Sequence, residues 1–201
     1  MDAIDGQRDG TDPGAVLDAL LERRSVPAPM LRAPAPEGEE LERILATALR
    51  APDHGALRPW RFVLIRGEAR ARWADAIEAA MRARDPDGPQ PLISKQRDRI
   101  LKAPLVIALG ARVQAGKIPE IEQLLTVAAG TMNVLNALHA AGFGAVWVTG
   151  PNAYDPRVAE ALGLHAPDRL LGFLFVGTPD GSALAPARRG ELAEHVREWQ
   201  G

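Results

Sequence analysis

"RAPDHGALRPWRFVLI", Arg50 to Ile65, joins two regular elements of different period, and its reading decides the fold. Pro52 cannot continue a helix, Gly55 permits a turn, and Pro59 favours an extended entry to whatever follows. "WRFVLI" is rich in β-formers and reads as a strand that buries Phe62 and Leu64 or their neighbours. Upstream, "EELERILATALRA" sets Leu41, Ile44, Leu45, Ala48 and Leu49 at helical spacing, so a helix runs into this connector and stops at Pro52.

The same alternation continues outward. "GEARARWADAIEAAMRAR" predicts an amphipathic helix carrying Trp73, Ile77 and Met81, and "PLVIALGA" a buried strand, apolar nearly throughout. Between them, "DPDGPQPLISKQ" reads as a flexible loop or a short helical lid near residues 84 to 95. Pro119 to Ala141 is the most hydrophobic helix. Ile121, Leu124, Ala128, Met132 and Leu135 share one face, with Val127, Val134 and Leu138 on others, so burial nearly all round is expected. "GFGAVWVTG" turns into a short strand, "PRVAEALG" is a short helix, and "RLLGFLFVGT" a third full strand. Three to four strands among five or six helices is an α+β or α/β pattern.

At the N-terminus, residues 1 to 12 read as a disordered leader. Asp12 and Pro13 then open a helix, "PGAVLDALLERR", with Val16, Leu17, Leu20 and Leu21 on one face. Residues 13 to 201 form one domain, with no internal repeat and no linker. Its polar tail places Leu192, Val196 and Trp199 at helical spacing and either folds back or docks on a partner subunit.

The whole chain has 201 residues, 46% hydrophobic content and a formal net charge of -2. Nothing in that balance draws nucleic acid or an acidic membrane surface, so a small-molecule or protein partner is expected. The absence of cysteine removes thiolate chemistry and Cys-ligated metal centres and fits a cytoplasmic protein, in which redox work requires a cofactor. No signal-peptide core and no apolar run of membrane-spanning length occurs. "GFGAVW" lacks the third glycine of a dinucleotide fingerprint and leads from helix to strand, the reverse of the required order. Ser25, Ser94 and Ser182 sit in no nucleophile elbow, and His54, His139, His165 and His195 have no zinc-helix spacing, so neither hydrolase nor metal chemistry is expected.

What remains are polar groups at element ends: Arg23, Arg24 and Ser25 after the first helix, Arg50 and His54 after the second, and "GFGAVWVTG" after the long one. Taken singly, each arginine does no more than complement a helix C-terminal dipole, worth about 0.3 to 1 kcal/mol. In combination they form an ordered set: Arg23-Arg24-Ser25; Arg50-Ala51-Pro52-Asp53-His54 with Pro59-Trp60-x-Phe62; Gly142-Phe143-Gly144-x-x-Trp147; and Gly172-Phe173-Leu174-x-x-Gly177-Thr178-Pro179. Over residues 15 to 180 this set resembles the FMN-dependent nitroreductase family, particularly its short YdjA-like bacterial branch.

The resemblance implies an α+β fold with a central mixed, mainly antiparallel sheet flanked by helices, and an obligate homodimer with one FMN in each of two clefts at the subunit interface. It implies that Arg23, Arg24 and Ser25 meet the phosphate, ribityl chain or ring edge, where guanidinium forks suit a phosphate. It also implies that Arg50 and His54 come from the other subunit, and that Trp147, Val148 and Thr149 line the flavin. Arg188 is a phosphate candidate, and Ala137, Leu138, His139, Ala140, Ala141 and Gly142 correspond to a stretch near NAD(P)H. No side chain acts as acid or base: NADH or NADPH gives hydride to flavin N5 and leaves, and a nitroaromatic, quinone or similar acceptor takes it up in a ping-pong cycle. Leu57 and Arg58 stand where the family has a polar residue and Gln, Gly55 where the branch has a basic residue, and Val148 where it has Arg. Those departures leave room for a non-catalytic flavin- or small-molecule-binding dimer of the same fold, or for a flavin-modifying or dehalogenating variant.

Overall fold

The computed structural model describes residues 12–182, 184 and 190–201. The expected leader, apart from Asp12, and Arg188 lie outside the described residues. In chain order the elements are α1 (Pro13–Glu22), β1 (Leu31–Arg32), α2 (Gly38–Ala46), β2 (Trp60–Arg66), α3 (Ala69–Arg84), α4 (Gln90–Lys102), β3 (Leu105–Ala111), α5 (Glu120–Ala140), β4 (Gly144–Val148), α6 (Pro156–Ala161) and β5 (Arg169–Pro179).

β5 is the hub of the sheet. β3 pairs along one side of it, followed by the edge strand β2, while β4 and the two-residue β1 share its other side. All four pairings are antiparallel. Helices cover both faces, which is why β3 is buried at every residue and alternates between two cores. Val106 and Ala108 face a core with Trp73, Ile77, Phe173 and Phe175, on the side of α3, α4 and α6. Leu105, Ile107 and Leu109 face the other, with Val134, Leu138 and Leu174, under α2 and α5. The fold is α+β, as the resemblance implies, where the sequence pattern alone allows α+β or α/β; among the described residues the sheet is antiparallel throughout rather than mixed.

Several local expectations are corrected. Of the segment expected as loop or short lid, residues 85–89 are loop, but from Gln90 the chain forms the full helix α4, longer than expected, with Ile93 and Ile100 buried. Pro91 stands in its first turn, where no amide hydrogen bond is lost, and Arg97 ties the helix to Asp75 and Glu78 of α3. On β2 the buried residues are Trp60 and Ile65, whereas Leu64 is exposed, because an edge strand is covered unevenly. α2 tightens into a 3-10 turn at Thr47–Arg50, leaving Leu49 at the surface. α5 is not buried all round: Gln123, Thr126 and Thr131 face inward, while Ile121, Leu125 and Met132 form an exposed apolar stripe. The inward polar groups are satisfied locally, Thr126 Oγ1 donating to Pro52 O and Thr131 Oγ1 to Val127 O, each at 2.9 Å. Among the described residues of the tail, Leu192–Glu194 forms a 3-10 turn, and Leu192, Val196 and Trp199 are exposed rather than set on one helix.

Candidate functional site

The first motif lies against the fourth strand. Asp12 caps α1 by accepting the amide of Gly14, and Arg23 ends the helix by turning extended. The chain then passes Arg24 and Ser25, both exposed, and Val26 donates its amide to Ala145 O at 2.9 Å. This approach requires glycine at 144, where a Cβ would stand 2.9 Å from Leu31 and 3.0 Å from Val26 Cβ. Residues 23–25 are thereby fastened beside the strand that carries Trp147 and Val148 into Thr149.

Trp147 is half-buried, and its Nε1 donates to Leu171 O at 3.1 Å. Its donor is therefore engaged within the fold. The ring forms part of the wall of a cavity of about 600 Å³, with Leu124 and Ala128 of α5 and Leu171 of β5. Val148 packs toward the opposite core, so the strand's backbone and the exposed Thr149 are what it offers to a ligand.

The second motif is laid along α5. Thr47 O accepts from Asn133 Nδ2, Ala48 O lies against Gly130, Pro52 O accepts from Thr126 Oγ1, and His54 Nδ1 meets Glu122 Oε2 at 2.7 Å. The connector thus runs antiparallel to the helix over about 16 Å, at 1.5 Å per residue. Gly130 makes this possible, since a Cβ there would stand 2.5 Å from Trp60 Nε1. Trp60 itself is structural, buried with Nε1 donating to Thr126 O. Asp53 holds the far end by accepting the amides of Leu57 and Arg58, and Arg58 sits at φ 52, in the left-handed region.

At 100° per residue, Glu122, Thr126, Gly130 and Asn133 occupy one side of α5, and Leu124, Leu125 and Ala128 the other. Arg50 and His54 therefore stand across α5 from the cavity that Trp147 lines. Residues 23–25 lie beside β4, while Arg50 and His54 stand on the side of α5 turned away from the cavity that Trp147 lines. Arg50 instead faces a groove with Leu20 of α1 and Ala137. Of the stretch implied near NAD(P)H, Leu138 is wholly buried in the core, so its side chain is structural; Ala137 faces that same groove, His139 is half-buried, and Ala140, Ala141 and Gly142 are exposed.

Beyond Thr149 the backbone is clamped by a residue that motif reading misses. Asp155, with its carboxylate fully buried, caps α6 and binds Arg157 Nε at 2.9 Å and Arg84 Nη1 at 2.7 Å, while Arg84 Nη2 donates to Asn152 at 2.9 Å. The Arg157 hydrogen bond, opposed by burial and joined by Arg84, holds the Asp155 carboxyl below the ordinary carboxylate range. Its signal was available as Asp155-Pro156, the same cap-and-proline pair that opens α1. Among the described residues there is no cluster of three metal-ligating side chains, and no helix is long and apolar enough to cross a membrane.

The nitroreductase family model matches residues 20–178, which take in both motifs, the sheet and the cavity. The chain belongs to the nitroreductase family. YdjA of Escherichia coli K12, provisionally named an NAD(P)H nitroreductase, is 38% identical over 164 residues, covering 81% of this chain and 87% of its own. The crystal structure of a nitroreductase-like protein from Bacillus cereus superposes with a TM-score of 0.80 at 26% identity, covering 95% of this chain and 99% of that one. A provisional nitroreductase from Desulfovibrio desulfuricans, solved in complex with FMN, gives 0.69 at 25% identity over 94% and 98%. In this nitroreductase-family chain the motif residues divide into two sets: Trp60 and Gly144 shape the fold, while Arg23, half-buried, and Arg24, Ser25, Arg50 and His54, all exposed, stand at element ends.

Proposed function

We propose that the protein is an FMN-dependent NAD(P)H oxidoreductase that works as a cytoplasmic homodimer, the last in keeping with a chain that has no cysteine. The observation that carries this reading is the fastening of residues 23–25 to β4 through Val26 and Ala145. It sets two arginines and a serine in the chain that runs beside β4. That donor set fits a phosphate-bearing cofactor with a flat ring: forks suit the phosphate, and the backbone at Val148 and Thr149 suits the ring edge. Arg188 adds to the phosphate site.

A second copy completes the site. The split across α5 supports the placement of Arg50 and His54 in the neighbouring subunit's cleft, and the exposed stripe of Ile121, Leu125 and Met132, with the apolar face of α1, supplies the surface for association. The C-terminal tail docks on that same neighbour. When bound, FMN would supply the redox chemistry, hydride transfer between NADH or NADPH and a nitroaromatic, a quinone or a similar acceptor, with Arg23, Arg24, Ser25, Arg50 and His54 holding it. The residues bind and orient; none is needed as acid or base.

The reading is tested by loading purified protein with FMN, adding NADH or NADPH without oxygen, and following the visible flavin band. Bleaching, then recovery of colour with a nitroaromatic or quinone, is expected; protein that cannot be loaded, or that holds FMN without bleaching, overturns it. Arg23→Ala is expected to weaken FMN binding about tenfold or more in a fluorescence titration, since a charge-assisted hydrogen bond is worth about 1.5 to 3 kcal/mol. The dimer should remain intact by sedimentation.

A further inference from the structure

The contact between His54 and Glu122 has a chemical consequence for whatever His54 meets. Glu122 lies in the first turn of α5, and its Oε2 stands 2.7 Å from His54 Nδ1. A carboxylate only accepts hydrogen bonds, so Nδ1 carries the hydrogen and the other ring nitrogen, Nε2, is left to face outward. The imidazole is two-thirds exposed, at 66% of its side-chain surface, so the contact orients the ring without enclosing it. The connector behind it is held at three further points: by Thr126 at Pro52, by Asp53 at Leu57 and Arg58, and by Gln114 Nε2, which donates to Leu57 O at 2.7 Å. His54 is thus a fixed ring on a fixed backbone, with one nitrogen committed.

We propose that Glu122 is a positioning residue for His54, setting its tautomer and ring orientation so that Nε2 is the nitrogen presented to the cofactor across the subunit interface. The inference rests on the proposed function in placing His54 at a flavin, but the tautomer belongs to this chain alone. In a neutral His54 the bare Nε2 accepts a hydrogen bond, and its complement is a hydroxyl or ring N–H of the cofactor.

Two measurements separate the parts. The nitrogen-15 shifts of the His54 ring are recorded by NMR in FMN-free protein at mildly alkaline pH, for the wild type and for Glu122→Gln and Glu122→Leu. Wild type is expected to show an unprotonated Nε2. Glu122→Gln, whose amide oxygen still accepts from Nδ1–H, should keep that pattern, and Glu122→Leu should move toward the Nε2–H form that free imidazole side chains prefer. Unchanged shifts in Glu122→Leu overturn the proposal, because a residue that only shaped the helix end would leave them unmoved.

FMN titration forms the second arm. Glu122→Leu and His54→Ala should each weaken binding severalfold, with no further loss in the double variant and near-wild-type binding in Glu122→Gln. Additive losses in the double variant overturn the proposal. Wild-type affinity in His54→Ala, together with a changed shift in Glu122→Leu, removes His54 from the flavin and so overturns the placement on which the inference rests, leaving the hydrogen bond itself in place.

Discussion

Gly172→Ala is expected to cost about 2 to 6 kcal/mol of folding stability, combining about 1 to 3 for a forbidden backbone with about 1 to 3 for overpacking. Gly172 lies at φ 128, a conformation essentially reserved for glycine. A Cβ there would stand 2.6 Å from Val148 O and 2.7 Å from Trp147 Nε1. The first is backbone and cannot swing aside, so the strand carrying Trp147 and Val148 must shift. The substitution therefore moves the edge proposed to meet the flavin as well as loosening the sheet. Thermal unfolding should show a midpoint lower by about 10 °C, at roughly 2 to 4 °C per kcal/mol for a chain of this size. FMN retention should fall in parallel; a variant with unaltered melting and unaltered FMN binding would contradict both parts.

Asp155→Ala is expected to destabilise by about 3 kcal/mol, toward the lower end for breaking a buried ion pair because both guanidiniums keep some access to water. The loss includes the cap of α6 and strands Arg84 and Arg157 without their carboxylate. Its pH dependence has a definite sign. The folded carboxyl is held below its unfolded value, so the stability it confers is full above the ordinary carboxylate range near pH 4 and is lost as pH falls through that value and below. Wild-type protein should therefore lose stability in acid more steeply than Asp155→Asn, which carries no titrating group at this position. Urea titrations of the two proteins at neutral and acid pH check this, and parallel slopes would count against it.

Much of the architecture is legible in the sequence because burial imposes its own period. β3 is buried on both faces and reads as an unbroken apolar run; Trp73, Ile77 and Met81 recur at helical spacing and all face the core. Legibility fails where a residue's environment is set by distant chain. The polar, proline-bearing α4 gives no strong periodic signal, since only Ile93 and Ile100 anchor it while a salt bridge to α3 does the rest. On α5 the apolar count is high, yet Gln123, Thr126 and Thr131 are buried beside Val127, Val134 and Leu138, because the 114–118 loop, the connector and the helix's own Val127 carbonyl supply their partners.

The site divides in the same way. Arg23, Arg24 and Ser25 can be picked out by type and position, as can Arg50 and His54. That Val26 fastens the first set to β4 depends on a backbone hydrogen bond, to which side-chain identity contributes nothing. That Glu122 holds His54 depends on a contact across 68 positions of sequence.

The connector's four points of attachment along α5 make residues 47–54 a ruler as well as a linkage. Thr47, Ala48, Pro52 and His54 meet Asn133, Gly130, Thr126 and Glu122 in strict reverse order, so each residue of the connector is phased against the pitch of the helix. The exposed side chain of Leu49 is free to vary along this stretch. The length of the stretch is not: one residue inserted or deleted between Arg50 and Pro52 would throw the contacts at Pro52 and His54 out of step, and with them the spacing between Arg50 and His54.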